Sequence, residues 1–273
     1  LSAEEWSLRV TGAVESEATY DYDDLTALSA EHRFETLRCV GERLNGTKID
    51  TALWTGVPLT ELLDDDLPDE CCVMLRAADD YFEEFPLSAL RNGFLAYRMN
   101  GGPLPRGHGH PVRALIPGHW GEINVKWLTE IEVLDEPADG YWEKRGWHGT
   151  GPVNTVAKLH ATNRLGDGRV EVAGHAYAGT RGIERVEVST DGGESWTTAE
   201  LSDSLPGAVA ADGSEATGEA EDAWRMWRHE FAPDGETEVV VRAVDGTGTV
   251  QPSEKADAFP SGPSGWVRQR VSP

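Results

Sequence analysis

Short strand-like stretches separated by glycine and aspartate turns dominate the chain after residue 170. This pattern limits the fold of the second half more than any other feature does. The turns include Asp191-Gly192-Gly193, Pro233-Asp234-Gly235 and Asp245-Gly246. Strands this short, with almost no helical period, predict an all-β sandwich of about 100 residues. The predicted strands are 170–176, 185–189, 195–201, 224–231 and 238–244.

The first half has a different character, and the change falls at Gly149-Thr150-Gly151-Pro152. Before it, short strands and helices mix without a regular βαβ rhythm, which favours an α+β domain over a doubly wound one. We therefore predict domains at 1–152 and 153–273, with residues 202–222 as a long acidic, exposed loop. The predicted strands of the first half are 6–14, 34–40, 73–78 and 95–99, and the predicted helices are 22–28, 60–63 and 86–90.

The net charge of −24 comes from 48 acidic against 24 basic residues. A negative field of this size disfavours nucleic acid and anionic lipid as partners. Because the acidic residues are spread over both halves, we favour a halophilic surface adapted to high salt over a single acidic partner-binding face. The 39% hydrophobic content is enough for a core, and no apolar run is long enough to span a bilayer.

The three cysteines do not form the spacing of a disulfide framework, and we expect Cys71 and Cys72 to be packing residues. Cys39 ends the predicted strand 34–40 and is followed at once by Gly41 and a polar loop. A cysteine in this position is either a small packing residue or a thiolate presented to a metal or an electrophile. The stretch by itself favours packing and leaves both interpretations open.

The stretch 106–126 is the least regular of the first half and the richest in polar donors. Arginine offers a planar fork for phosphate, lysine a point charge and histidine a further donor, so this set predicts an anion-binding loop. The alternative is that Lys126 is a surface residue of a half-buried strand over 123–128. Histidines 108, 110 and 119 lack the spacing of a metal site, and the chain has no nucleophile elbow, Walker loop or dinucleotide fingerprint. The donors are His108, Arg113, Asn124 and Lys126.

Several ordered blocks resemble the sulfite oxidase family of molybdenum-cofactor enzymes, over nearly the whole chain. Thr36-Leu37-Arg38-Cys39-Val40-Gly41 resembles the family's cysteine strand, and residues 54–63 resemble the segment after it. Residues 99–105, 108–113 and 124–128 resemble its pterin-binding block. Residues 186–196 are similar to its C-terminal dimerisation domain. The resemblance implies an α+β molybdenum-cofactor domain followed by an immunoglobulin-like all-β sandwich.

The resemblance also implies roles for individual residues. Cys39 would be the thiolate on molybdenum, and Trp54 would line the approach to the metal. Arg181, and less surely Arg185, would attract an anionic substrate from the second domain. The pterin phosphate and ring would be held by Asp79, His108, Arg113, Asn124, Val125 (through its backbone) and Lys126.

Three departures from the family pattern bear on the substrate. Trp147 stands where the sulfite oxidases have a catalytic tyrosine, and indole can donate but cannot accept or titrate as a phenol does. Glu42 and Leu44 replace an asparagine and an arginine, which leaves Arg43 as the only nearby cation. The family's upstream segment is missing because the chain starts at Leu1, so we expect a truncated chain. Sulfite itself is therefore in question, and the cofactor fold is not.

The implied activity is a two-electron oxygen-atom transfer on a small oxyanion or sulfur compound, with electrons passed to a separate carrier. The expected protein is a homodimer, extracytoplasmic or anchored to a membrane by a segment upstream of Leu1. Two alternatives stay open: a cofactor-free interaction module of a membrane-associated assembly, and a reductase of an S- or N-oxide with the same cofactor.

Overall fold

The computed structural model describes residues 1–63 and 71–272. It is dominated by β-structure, and the two helices of these residues, α1 and α2, span only Tyr22–Ala27 and Leu87–Leu90. One-turn 3-10 helices lie at Leu59–Glu61, Arg106–His108 and Glu143–Arg145. Among the described residues, no helix has the length and apolar character needed to cross a membrane.

The first ten strands belong to the first half of the chain. They are β1 (Ser7–Gly12), β2 (Ala18–Asp21), β3 (Glu31–Arg38), β4 (Ile49–Pro58), β5 (Cys72–Ala77), β6 (Phe82–Pro86), β7 (Phe94–Met99), β8 (Gly102–Pro103), β9 (Arg113–Leu115) and β10 (Leu128–Leu134).

The remaining ten strands lie in the second half. They are β11 (Val156–Arg164), β12 (Val170–Tyr177), β13 (Ile183–Ser189), β14 (Thr197–Thr198), β15 (Glu200–Leu201), β16 (Ala208–Val209), β17 (Ala216–Thr217), β18 (Arg225–Phe231), β19 (Thr237–Asp245) and β20 (Val267–Val271).

The chain divides into two compact units. The first comprises residues 1–37, 51–152 and 206–220, and the second comprises 38–50, 153–205 and 221–273. The loop that carries Cys39 therefore belongs to the same unit as the C-terminal strands, and the acidic loop 206–220 belongs to the first. The predicted division at residue 152 would place the Cys39 loop with the first half of the chain and the acidic loop with the second.

The first unit contains the two-stranded sheet β16-β17 and two five-stranded sheets. One has the order β2-β1-β10-β5-β6, in which β1 and β10 run parallel and the other neighbours antiparallel. The other has the order β3-β4-β7-β8, with β9 pairing β7. A core of apolar side chains, including Leu8, Leu75, Leu95 and Ile131, is sealed from solvent. The predicted Asn100-Gly101 turn is confirmed, since both residues take positive φ, 50° and 80°.

The second unit contains two four-stranded antiparallel sheets, β11-β12-β18-β15 and β14-β13-β19-β20. Val172 from the first sheet and Val186 and Val241 from the second share one buried cluster, so the sheets enclose a common core. The sequence pattern predicts the central strands of this unit but not β11 or β20.

Cys71 and Cys72 are joined by a disulfide. Cys72 is 3% exposed and packs in the core, as expected for a packing residue, but the sequence pattern did not predict its bond to Cys71. Cys39 is the free cysteine of the described chain.

Candidate cofactor site

Residues 105–127 fold back on themselves, so that side chains from the end of the loop bond carbonyls at its beginning. Lys126 Nζ donates to the Gly107 carbonyl at 3.3 Å, and Trp127 Nε1 donates to the Arg106 carbonyl at 3.2 Å. Gly109 makes this closure possible. Its φ is +104°, and a Cβ built there would lie 3.0 Å from the Cβ of Lys126.

Arg113 is the buried centre of this loop. Its side chain donates to the carbonyls of His108 at 3.2 Å and Asn124 at 2.8 Å, and the residue is 4% exposed. Burial lowers the pKa of Arg113 to about 10, against an opposing effect of Glu35. Because its partners are neutral carbonyls, the loop keeps a cation whose charge is not cancelled by a hydrogen-bonded carboxylate.

Asn124 and Val125 hold the loop from inside. The Asn124 side chain accepts from the Ile116 amide at 2.7 Å and donates to the Trp120 carbonyl at 3.0 Å. The Val125 carbonyl accepts from the Ala114 amide at 2.8 Å. The structure thus brings His108, Arg113, Asn124, Val125 and Lys126 together in one folded loop. Their roles toward a cofactor stay predictions.

The predicted strand over 123–128 is wrong. Strand β10 begins only at Leu128, and Trp127 takes a left-handed φ of 52°. The apolar alternation there reflects burial of Ile123 and Val125 in an irregular loop. The Ile123 and Asn124 amides bond carbonyls of residues 120 and 121 within the loop, and the Val125 carbonyl makes a single bond to Ala114 of β9.

A cleft of about 540 Å³ opens beside this loop. Asp79 lines it, as the resemblance implied, together with Ala78, and the half-exposed His110 contributes an imidazole. Sequence reasoning missed Arg106 and Trp127 as lining residues, and it considered His110 only as a metal ligand, which its spacing does not support. Lys126 Nζ lies 4.4 Å from the centre of the Trp127 ring, so a second cation borders the cleft.

Cys39 is exposed and lies directly after strand β3. Its amide donates to the Lys48 carbonyl at 3.0 Å, and its carbonyl accepts from the Glu42 amide at 3.2 Å, so both backbone polar groups of Cys39 are hydrogen-bonded. No cluster of three or more histidine, cysteine, aspartate or glutamate side chains in the described ranges could hold a metal ion.

The expectation that Arg43 is the only cation near Glu42 is wrong. Glu42 is 1% exposed and makes ion pairs with Arg38 at 2.6 Å and with Lys158 at 2.6 Å. Leu44, at the other altered position, packs against the core of the second unit. Lys158 lies within strand β11, and nothing in its sequence neighbourhood indicates that it pairs with Glu42.

Arg181 and Arg185 are both ion-paired within the second unit. Arg181 Nε lies 3.1 Å from Asp245 Oδ2, and Arg181 Nη2 donates to the Val153 carbonyl at 2.8 Å. Arg185 pairs with Glu184 and Glu187. Their attraction for a substrate stays a prediction.

The two tryptophans differ in exposure. Trp54 is 2% exposed, donates to the Glu35 carbonyl at 3.2 Å and has the Arg113 guanidinium 5.4 Å from its ring centre. Trp147 is half-exposed and packs edge-on against Trp142, with ring centres 6.3 Å apart. Their predicted roles, lining the approach to the metal and replacing the tyrosine, are untested.

Comparison with known proteins places both halves of the chain. Residues 1–142 match the family model of the oxidoreductase molybdopterin binding domain, and residues 152–260 match that of the Mo-co oxidoreductase dimerisation domain. Mitochondrial sulfite oxidase of Rattus norvegicus is 29% identical over 94% of this chain and 55% of its own length. Sulfite oxidase of Arabidopsis thaliana is 27% identical over 90% of this chain and 76% of its own.

The chain thus spans little more than half the length of the mitochondrial relatives it matches. Among solved structures, the sulfane dehydrogenase SoxCD of Paracoccus pantotrophus superposes with a TM-score of 0.77. That match covers 100% of this chain and 77% of the other at 24% identity, which shows the fold. The loop and cleft described above lie within the segment that matches the molybdopterin binding domain. The chain belongs to the sulfite oxidase family of molybdopterin-binding oxidoreductases.

Proposed function

We propose that this protein is a molybdopterin-dependent oxidoreductase of the sulfite oxidase type, with an α+β cofactor domain and an immunoglobulin-like dimerisation domain. One observation carries the proposal: the folded loop 105–127, within the segment that matches the molybdopterin-binding model, gathers cations beside a cleft. In a chain with 48 acidic residues, this concentration of basic groups calls for an anionic ligand.

The donors present fit a phosphate-bearing pterin. Arg106 and His110 line the cleft, and Lys126 borders it as a point charge. Arg113 stabilises the loop by donating to the His108 and Asn124 carbonyls. The Asp79 carboxylate lines the cleft and could accept from the N–H groups of a pterin ring. The same cleft offers the flat Trp127 side chain as an apolar surface.

The bound cofactor would supply two-electron oxygen-atom transfer, while the chain would position it and set the charge around it. Cys39 would provide the protein's thiolate ligand, which agrees with a free, exposed thiol on an ordered turn. Arg181 would contribute positive charge for a small oxyanion or sulfur-containing substrate. Trp54 and Trp147 would shape the approach to the metal, and Trp147 makes sulfite itself less favoured.

The test is metal analysis and pterin fluorescence on protein produced in a host that makes the cofactor. We expect about one molybdenum and one pterin per chain, turnover lost in Cys39→Ser, and lower pterin retention in Lys126→Gln. Lys255→Gln, at an exposed lysine, is the matched control and should keep wild-type pterin content. Protein without molybdenum and pterin, with both variants unchanged, would favour a cofactor-free interaction module instead.

The assembly is part of the proposal. The segment matching the Mo-co dimerisation model supports a homodimer, and electrons would leave for a separate carrier. We propose an extracytoplasmic or membrane-anchored location and a halophilic surface on the strength of the acidic charge and the family resemblance. Comparing sulfite oxidation with reduction of S- and N-oxides would separate the forward activity from the reductase alternative.

A further inference from the structure

The turn that carries Cys39 is fastened to strand β11 by buried charged groups. Lys158 Nζ lies 2.7 Å from Glu42 Oε1 and 2.6 Å from Oε2, and it also donates to the Gly46 carbonyl at 2.8 Å. Arg38 Nε donates to Glu42 Oε1 at 2.6 Å. Glu42 therefore sits between two cations, one directly before Cys39 in the chain and one on β11.

These three side chains are sealed from water. Arg38 and Lys158 are 0% exposed and Glu42 is 1% exposed. A buried ion pair of this kind adds little net stability compared with apolar packing, because desolvation opposes the attraction. It does specify geometry, because a buried charge that loses its partner is strongly disfavoured. The network therefore restricts the turn to conformations that keep Glu42 between its cations.

A second fastening lies beside the first. The Asn45 side chain accepts from the Leu159 amide at 2.9 Å and donates to the Leu159 carbonyl at 2.7 Å. This is the pattern with which a neighbouring strand would bond β11, supplied here by one side chain. The Gly46 carbonyl and Asn45 thus hold the far side of the turn, while Glu42 holds the side next to Cys39.

We propose that Glu42, clamped between Arg38 and Lys158, is a positioning residue that holds the Cys39 thiolate in one orientation. The proposal rests on the proposed function of Cys39 as the molybdenum ligand. The ordinary alternative is that the network only packs the turn and has no influence on the sulfur.

The experiment uses the cofactor-loaded protein and the double variant Glu42→Gln/Lys158→Met. The wild-type network holds two buried cations and one carboxylate, a net charge of +1, and the double variant keeps that net charge on Arg38. The introduced glutamine oxygen can still accept from Arg38, and only one buried cation is left without a carboxylate, whereas Glu42→Gln alone would leave two. The matched control is Glu236→Gln/Arg270→Gln, which removes an exposed 3.1 Å ion pair of the same unit. Asn45→Ala tests the second fastening.

The first readout is hydrogen exchange at the amides of residues 42 and 46, which bond the Cys39 and Arg43 carbonyls within the turn. We expect exchange about tenfold faster or more in the double variant, with no change in the control. The second readout is the electron paramagnetic resonance spectrum of the half-reduced molybdenum, which responds to the orientation of its sulfur ligands. We expect a shifted or second signal in the double variant at unchanged molybdenum content.

Faster exchange together with a changed spectrum supports the proposal. Unchanged exchange, or faster exchange with an unchanged spectrum, overturns it. Failure of the proposed function is seen elsewhere: wild-type protein would bind no molybdenum, or Cys39→Ser would keep the wild-type spectrum. Failure of the proposed function is therefore read from wild type and Cys39→Ser, and failure of the role proposed for Glu42 is read from the double variant.

Discussion

Three glutamates of the first unit have carboxylates buried together, and their protonation should control how stability varies with pH. The Tyr81 hydroxyl donates to Glu83 Oε1 at 3.0 Å, and the Trp142 amide donates to the same oxygen at 3.0 Å. Glu83 also shares a hydrogen bond with the Glu143 carboxyl, and Glu122 accepts one from the Gly149 backbone. Carboxylates buried in this way are held neutral more easily than charged.

Burial, followed by contact with the Glu143 carboxyl, raises the pKa of Glu83 to about 9 from an ordinary 4.5. Burial and repulsion by Glu143 raise the pKa of Glu122 to about 7. Between pH 4.5 and 9, folded Glu83 keeps a proton that the unfolded chain has lost. The free energy of unfolding therefore decreases as pH rises, by roughly 1.4 kcal/mol per pH unit for one such group.

The perturbation is Glu83→Gln, which is neutral at every pH and can still accept from Tyr81 and Trp142. Relative to wild type, the variant should gain stability from about pH 5 to about pH 8, by up to about 4 kcal/mol if Glu83 alone carries the proton. Urea unfolding followed by tryptophan fluorescence at each pH measures the difference, and Glu136→Gln, at an exposed glutamate, corrects for the general effect of net charge. Parallel pH profiles for wild type and Glu83→Gln would refute the reasoning.

Three further predictions concern the loop, the surface and the substrate. Gly109→Ala should lower the free energy of unfolding by about 1–3 kcal/mol in urea titrations, because its φ is +104° and its added Cβ would press on Lys126. Gly107→Ala, in the same loop with open space around it, should be nearly neutral. Raising KCl from about 0.2 to about 2 M should raise the melting temperature by several degrees in calorimetry, because salt screens the repulsion within a chain of charge −24; a fall would argue against a halophilic surface. Trp147→Tyr should raise sulfite turnover about tenfold or more, because a phenol can exchange a proton as indole cannot, and unchanged turnover would show that this position does not limit sulfite oxidation.

The local sequence pattern predicts the backbone conformation where interactions between residues close in the chain determine it. The Asn100-Gly101 turn, the short helix over 22–27 and the central strands of the second unit follow from turn residues, caps and alternation, and the structure has them. The sequence also predicted that His108, Arg113 and Lys126 would share one loop, because they lie close together in the chain.

Pattern failed where a distant partner overrides it. Ile123 and Val125 alternate as in a strand, yet the Val125 carbonyl bonds Ala114 and the turn at Trp127 is left-handed. Strand β11 was missed because Lys158 and His160 interrupt its apolar residues and only polar residues follow Ala161. Its pairing with β12 is decided by tertiary contacts.

The sequence by itself determined the family, the free thiol at Cys39 and the acidic character of the chain, because each depends on residue types in order along the chain. Only the tertiary structure decided what Glu42 does. Glu42 and Lys158 are 116 residues apart, so their ion pair leaves no periodicity or spacing to detect. A glutamate that departs from the family pattern is neutralised in the interior by cations that folding brings to it.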